Sequence, residues 1–310
     1  MNISEELARL MECHDDMPEA TKDRLWVIAD EDIPLDQLSR MSWLGNHVIG
    51  ELLNDWPSAT SLQNKLLIRD DEIPLPVLRN AAVAALMAGD PVRSFEVEHW
   101  MTASGLVASS AAVLVRAALI GHGLRANDPE KGAAALLTAL DQLESWHETS
   151  PADALVAGSL NNCVSTLIDA EAPLLSAQVV RDAVERGALA SRVLWTRAGT
   201  WINQERADYL CAMAFARLGQ PDRALEAAER GLSVIREHGE EDVDRAFLML
   251  EAGHARITLG DDEAGTAQVA EASRIAASWD DVSLREWFDG KASAFRRPPT
   301  LLDGPAVAHM

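Results

Sequence analysis

A spacing rule that recurs five times constrains this chain more than any other feature. Turn-like positions fall at Gly89, Asn127, Glu171, Gly219 and Gly260. Five residues after each stands a small side chain: Ser94, Gly132, Ser176, Ala224 and Gly265. Twelve after stand Met101, Ala139, Ala183, Gly231 and Ala272, and seven before stand Ala82, Ile120, Val164, Ala212 and Gly253. Small residues at fixed offsets on both sides of a turn let two helices, and then the next pair, approach closely. The turns lie 38 to 48 residues apart, the range of helical solenoids.

The rest of the chain fits an all-α fold. Hydrophobic residues make up 48%, with Ala and Leu prevailing over the β-branched and aromatic residues that fill strands. No stretch alternates apolar and polar residues for long. Pro18, Pro34, Pro57, Pro74, Pro91, Pro129, Pro151, Pro173 and Pro221 fall at segment edges, where a missing N–H costs nothing. Upstream, Asp30-Glu31-Asp32-Ile33-Pro34-Leu35 returns as Asp70-Asp71-Glu72-Ile73-Pro74-Leu75, an acidic helix-start signal repeated forty residues on.

The stretch AMAFARLGQPDRALEAAERGL, from Ala212 to Leu232, resembles a tetratricopeptide repeat (TPR): small residue, aromatic, LG turn, then paired alanines. AGHARITLGDDEAGTAQVAEAS (Ala252–Ser273) is a second copy, with Arg256 in place of the aromatic Phe215. Ser159–Val184 is a third, with Glu171 in place of the turn glycine. The resemblance implies a right-handed α-solenoid of antiparallel helix pairs that binds a protein or peptide. The forty-residue echo before it also resembles HEAT-type repeats. The expected organisation is therefore a HEAT- or TPR-like region over 1–74 and TPR-like repeats over 75–295. An irregular insertion holding Trp195 and Trp201 is expected near 187–204, and a disordered tail over 296–310.

Charge and cysteine content narrow the function. The net charge is −22 at pH 7, and a nucleic-acid binder needs a basic face that this chain lacks. An anionic membrane surface would repel it, no apolar run spans a bilayer, and the acidic start MNISEE is unlike a signal peptide. Cys13, Cys163 and Cys211, odd in number and widely spaced, read as buried free thiols of a cytoplasmic protein. Arginine far outnumbers lysine, which points to a GC-rich bacterial gene.

Two chemistries compete with binding. Glu96/His99, Glu144/His147 and Glu251/His254 are Glu-x-x-His pairs, each on one helix face, as a di-iron site requires. The helical stretch between the first two pairs carries no carboxylate, and the pairs fall on different helices of their repeats. They are expected as solvated faces, and a helical metalloenzyme using Glu96, His99, Glu144 and His147 is the alternative. Asp15-Asp16-Met17-Pro18-Glu19 imitates a magnesium-binding DDxxE, but its second motif is missing. Asp280-Asp281 reads as a helix cap. No cofactor is expected.

In TPR arrays the first helix of each repeat lines the groove. Carrying those offsets over residue by residue implies a partner-binding face that includes Arg125, Asn162, Arg206, Tyr209, Met213, Arg217 and His254. Arginines there suit an acidic or C-terminal carboxylate segment; the competing outcome is that they pair with acidic neighbours or that packing closes the groove.

Overall fold

The computed structural model describes residues 2–68, 72–126, 128–143, 149–169, 174–239 and 241–294. Among them are fifteen α-helices and no strand, so the chain is all-α. It divides into two compact units, Met1–Ala198 and Gly199–Met310.

The first unit holds α1 (Ile3–Cys13), α2 (Pro18–Ile28), α3 (Leu38–Leu44), α4 (Trp56–Leu66), α5 (Leu75–Met87), α6 (Pro91–Ala103), α7 (Ala108–Ala126), α8 (Pro129–Leu143), α9 (Asp153–Ile168) and α10 (Gln178–Ala198). Consecutive helices pack as pairs, α5 with α6, α7 with α8 and α9 with α10, and the first helices α5, α7 and α9 meet in turn. The second unit holds α11 (Trp201–Arg217), α12 (Pro221–His238), α13 (Asp242–Thr258), α14 (Asp262–Ala276) and α15 (Val282–Ala294). Here α11 pairs with α12 and α13 with α14, α13 also meets both α11 and α12, and α15 closes on α14.

The spacing rule finds its cause in this packing. Gly89, Gly219 and Gly260 end their helices with φ of 81°, 72° and 91°, a left-handed turn that favours glycine. Beyond two of these turns, Asp90 and Asp261 accept hydrogen bonds from the backbone N–H groups of Arg93 and Ala264, capping the next helix. Ala82, Ala183, Ala212, Ala224 and Ala272 are fully buried. A Cβ added at Gly132 would lie 2.3 Å from Leu124 Cδ2, and one at Gly231 would lie 2.8 Å from Leu248 Cδ2. Ser176 departs from the rule, standing exposed in the 3-10 turn Leu174–Ser176. The turns at Asn127 and Glu171 lie outside the described residues.

One expectation on organisation needs correction. The stretch near 187–204 is not irregular: it is the end of α10 and the start of α11, separated by Gly199 and Thr200. The division of the chain falls there, because α10 ends among exposed residues while Thr200 starts α11, its backbone N–H donating to Asn203 Oδ1. One apolar core runs across residue 74, from Leu7 through Leu62 and Val77 to Ala84. The acidic-Ile-Pro echo marks two entries into that core: Ile33 is buried in it and Ile73 packs against it. The tail at 296–310 lies outside the described residues. Cys163 and Cys211 are buried as expected, whereas Cys13 is half-buried.

The most unusual element is a π-helical segment, Gly45–Leu52, continuing α3. π-Turns recur at functional sites because the extra residue re-aims the side chains that follow. Glycine permits the close packing: a Cβ on Gly50 would meet the Trp56 ring at 2.5 Å. A buried amide network holds the segment in place. Gln63 Nε2 donates to Asn46 Oδ1 (2.7 Å) and to the Ser42 carbonyl (2.8 Å), while Gln63 Oε1 accepts from Ser42 Oγ (2.8 Å). Asn46 Nδ2 donates to the Asn80 carbonyl (2.9 Å), and Asn80 Nδ2 returns to Ser42 Oγ (3.1 Å). Such a closed set offsets the cost of burying four polar side chains and fixes α3, the π-segment, α4 and α5 in one register.

Candidate functional site

In the second unit the first helices α11 and α13 bring several of the expected groove residues together. Tyr209 lies against Phe247, with ring centroids 5.9 Å apart. Arg206 Nε donates to Asp244 Oδ2 at 2.8 Å and stands 3.6 Å from Glu205 Oε1, so this arginine is held by acidic neighbours. Burial, and then the adjacent Asp244 carboxylate, push Glu205 up to about 9, which keeps it protonated at neutral pH. Arg217 stands exposed at the end of α11.

The same face carries α15. Phe288 is fully buried, 5.3 Å from the Phe247 ring and edge-on to Trp279. Trp287 meets Phe247 at 4.5 Å while remaining half exposed. Lys291 Nζ lies 4.0 Å from Met213 Sδ and 5.4 Å from the centre of the Trp287 ring. Glu251, one turn before His254, is buried among these residues. Desolvation raises its carboxyl to about 7, with the Lys291 charge opposing. Glu251 and His254 were expected on a solvated face; both are buried, because α13 packs on its neighbours through nearly all its sides.

The other predicted residues belong to the first unit. Asn162 is exposed on α9. Arg125 is in α7, but its side chain lies outside the description. Glu96 and His99 are exposed on α6, with Glu96 paired to Arg93 at 3.0 Å. Glu144 and His147 lie outside the described residues.

A second constellation was not anticipated by sequence reasoning. His14 caps the C-terminus of α1, and its Nδ1 lies 2.9 Å from the Met11 carbonyl oxygen. His47 and Glu51 stand on the π-segment, His47 Nδ1 lying 2.7 Å from Glu51 Oε2. The other Glu51 oxygen pairs with Nδ1 of His122 on α7. Asp15 Oδ1 faces both remaining ring nitrogens, 3.6 Å from His14 Nε2 and 3.4 Å from His47 Nε2. Trp43 stacks on His47 at 4.8 Å and meets His14 edge-on, holding both rings. The Glu51 hydrogen bond pulls His47 above its usual range, with burial opposing. Asp15, one of the three carboxylates of the DDxxE-like stretch, thus belongs to a histidine cluster; Asp16 and Glu19 are exposed. The local signals were the adjacent His14-Asp15 and the four-residue spacing of His47 and Glu51. Nothing in the sequence joined them.

Matched against protein-family models and curated proteins, the chain has no counterpart among either.

Proposed function

We propose that this chain is a non-catalytic, TPR-like helical-repeat protein of the cytoplasm. Its paired helices stack in a right-handed solenoid manner within each unit. The face of α11 and α13 receives a helical segment of a protein partner. The observation that supports this reading is the seating of α15, with an aromatic pair over Phe247 and a lysine beside Met213 and the buried Glu251. Helix-in-groove recognition uses anchors of this kind at one-turn spacing. The buried thiols Cys163 and Cys211 suit a reducing compartment, and among the described residues no helix is long and apolar enough to cross a membrane.

Arg206 is paired with Asp244 and so lends no support to an acidic partner. A helical segment with an aromatic pair and a lysine, as α15 carries in Trp287, Phe288 and Lys291, fits this face better. The Glu-x-x-His metalloenzyme reading draws no support from Glu96 and His99, which stand exposed on α6 with Glu96 tied to Arg93.

The test is site-specific photo-crosslinking. A photoreactive residue at Arg217 is expected to capture a protein partner that excess synthetic peptide 280–294 displaces. The same probe at the exposed Arg236 on α12 is expected to capture none. Equal capture at both positions, or capture at Arg217 that the peptide leaves unchanged, would remove this face as the binding site.

A further inference from the structure

We propose that His14, Asp15 and His47 form a binding site for a divalent transition-metal ion of the zinc class, with the Met11 carbonyl and Glu51 orienting the two imidazoles.

Hydrogen-bond direction is the first argument. The oxygen facing His14 Nδ1 is a backbone carbonyl, which only accepts, so the ring hydrogen sits on Nδ1. The Glu51 carboxylate places the His47 hydrogen on Nδ1 in the same way. In its neutral form each ring then turns the Nε2 lone pair toward Asp15 Oδ1, itself an acceptor, whereas a doubly protonated ring would donate from Nε2 to that oxygen. Three acceptor atoms converge on one space, and such a set is stable only around a positive charge. A histidine whose Nδ1–H is held by a carboxylate or a carbonyl while Nε2 is presented to a cation is the usual outer-shell arrangement of metal sites.

Distance is the second argument. Tetrahedral coordination at metal–ligand distances of about 2.0–2.2 Å places ligand atoms roughly 3.4 Å apart. The two edges through Asp15 measure 3.4 and 3.6 Å, and the three ligand atoms all lie within 4.8 Å of one another. Two imidazoles and one carboxylate favour zinc, cobalt or iron over magnesium or calcium, which prefer all-oxygen shells.

The surroundings point the same way. His14 lies at the C-terminus of α1, where unpaired carbonyls favour a cation. Trp43 walls one side, and the exposed Asp15 leaves the other side open to water as a further ligand. Glu51 is tied in turn to His122, whose ring meets Trp56 at 5.3 Å, so the outer shell is anchored in the core.

The experiment is a titration of chelator-treated full-length protein with cobalt chloride, read by visible d–d absorption, followed by competition with zinc chloride. One equivalent of cobalt per chain is expected, displaced by zinc. Asp15→Asn and His47→Gln are each expected to weaken binding at least tenfold, and Glu51→Gln by about 10–100-fold. Asp16→Asn and His99→Gln, both exposed, serve as controls that leave affinity unchanged. Circular dichroism confirms that each variant folds. The rival occupant of the space is a proton on each ring. Absence of the cobalt band, with nitrogen chemical shifts showing both imidazoles doubly protonated at neutral pH, would overturn the proposal. So would a band that survives His47→Gln.

Discussion

Gly253 on α13 and Gly265 on α14 meet backbone to backbone across their helix crossing. A Cβ added at Gly265 would lie 2.6 Å from the Gly253 carbonyl oxygen, and one at Gly253 would lie 2.9 Å from that of Gly265. A backbone oxygen cannot swing aside as a side chain can. Gly265→Ala is therefore expected to destabilise the protein by about 1–3 kcal/mol despite alanine's better helix propensity. Gly290 on α15 has nothing within 4 Å, and Gly290→Ala is expected to stabilise by about 0.4–1 kcal/mol. Urea unfolding of the two variants decides the matter; a shift of the same sign in both would refute the close crossing.

Ala212 and Ala224 occupy the corresponding offsets around Gly219 and are fully buried. Enlarging either to leucine is expected to cost about 1–3 kcal/mol through overpacking. Thermal unfolding checks this. Wild-type stability in both variants would mean that the crossing has room to spare.

The amide network around the π-segment makes a sharper test. Gln63→Leu removes three hydrogen bonds at once and leaves Asn46 Oδ1 and the Ser42 carbonyl facing an apolar side chain. The expected loss is roughly 1–3 kcal/mol for each buried group left unpaired. Combining it with Asn46→Ala should cost less than the sum of the two single changes, because they share a partner. Strict additivity in a double-mutant cycle would contradict a connected network.

Phe288 joins α15 to the aromatic cluster of Phe247 and Trp279. Truncation to alanine is expected to cost about 3–5 kcal/mol, as for other fully buried aromatics. Trp287, half exposed, reports the same docking through its fluorescence. Unfolding that shifts by less than about 1 kcal/mol in Phe288→Ala would show that α15 contributes little to the unit.

Glu251 predicts a pH dependence of definite sign. Its folded carboxyl lies at about 7 against an ordinary 4.5, so between those values the folded state holds a proton that the unfolded chain releases. The associated stability is complete below about 4.5 and is lost as pH rises to about 7, on the order of 3 kcal/mol in all. Glu251→Gln, which cannot ionise, is expected to lack this slope and to exceed the wild type in stability at pH 8. Parallel stability–pH curves for the two proteins would show that Glu251 keeps an ordinary carboxyl.

The sequence by itself determined the helix pairs. Gly89, Gly219 and Gly260 announced their turns because only glycine readily takes positive φ. The small residues at fixed offsets announced the crossings because a helix places positions a few turns from its end on a predictable face. These are local regularities, written within some twenty residues of each turn, and reading along the chain recovers them. Long-range pairing was not written that way. Arg206 stood at a groove offset, but only the fold set Asp244 of the next pair beside it. Glu251 and His254 looked solvated on a helical wheel until packing enclosed α13. The histidine cluster was the least legible. His14, His47 and His122 come from three elements far apart in sequence, and only packing brings His47 of the π-segment to Asp15 and Glu51 to His122. Tertiary structure alone decided where those side chains converge. Their meeting depends on packing between distant helices, which local periodicity does not encode.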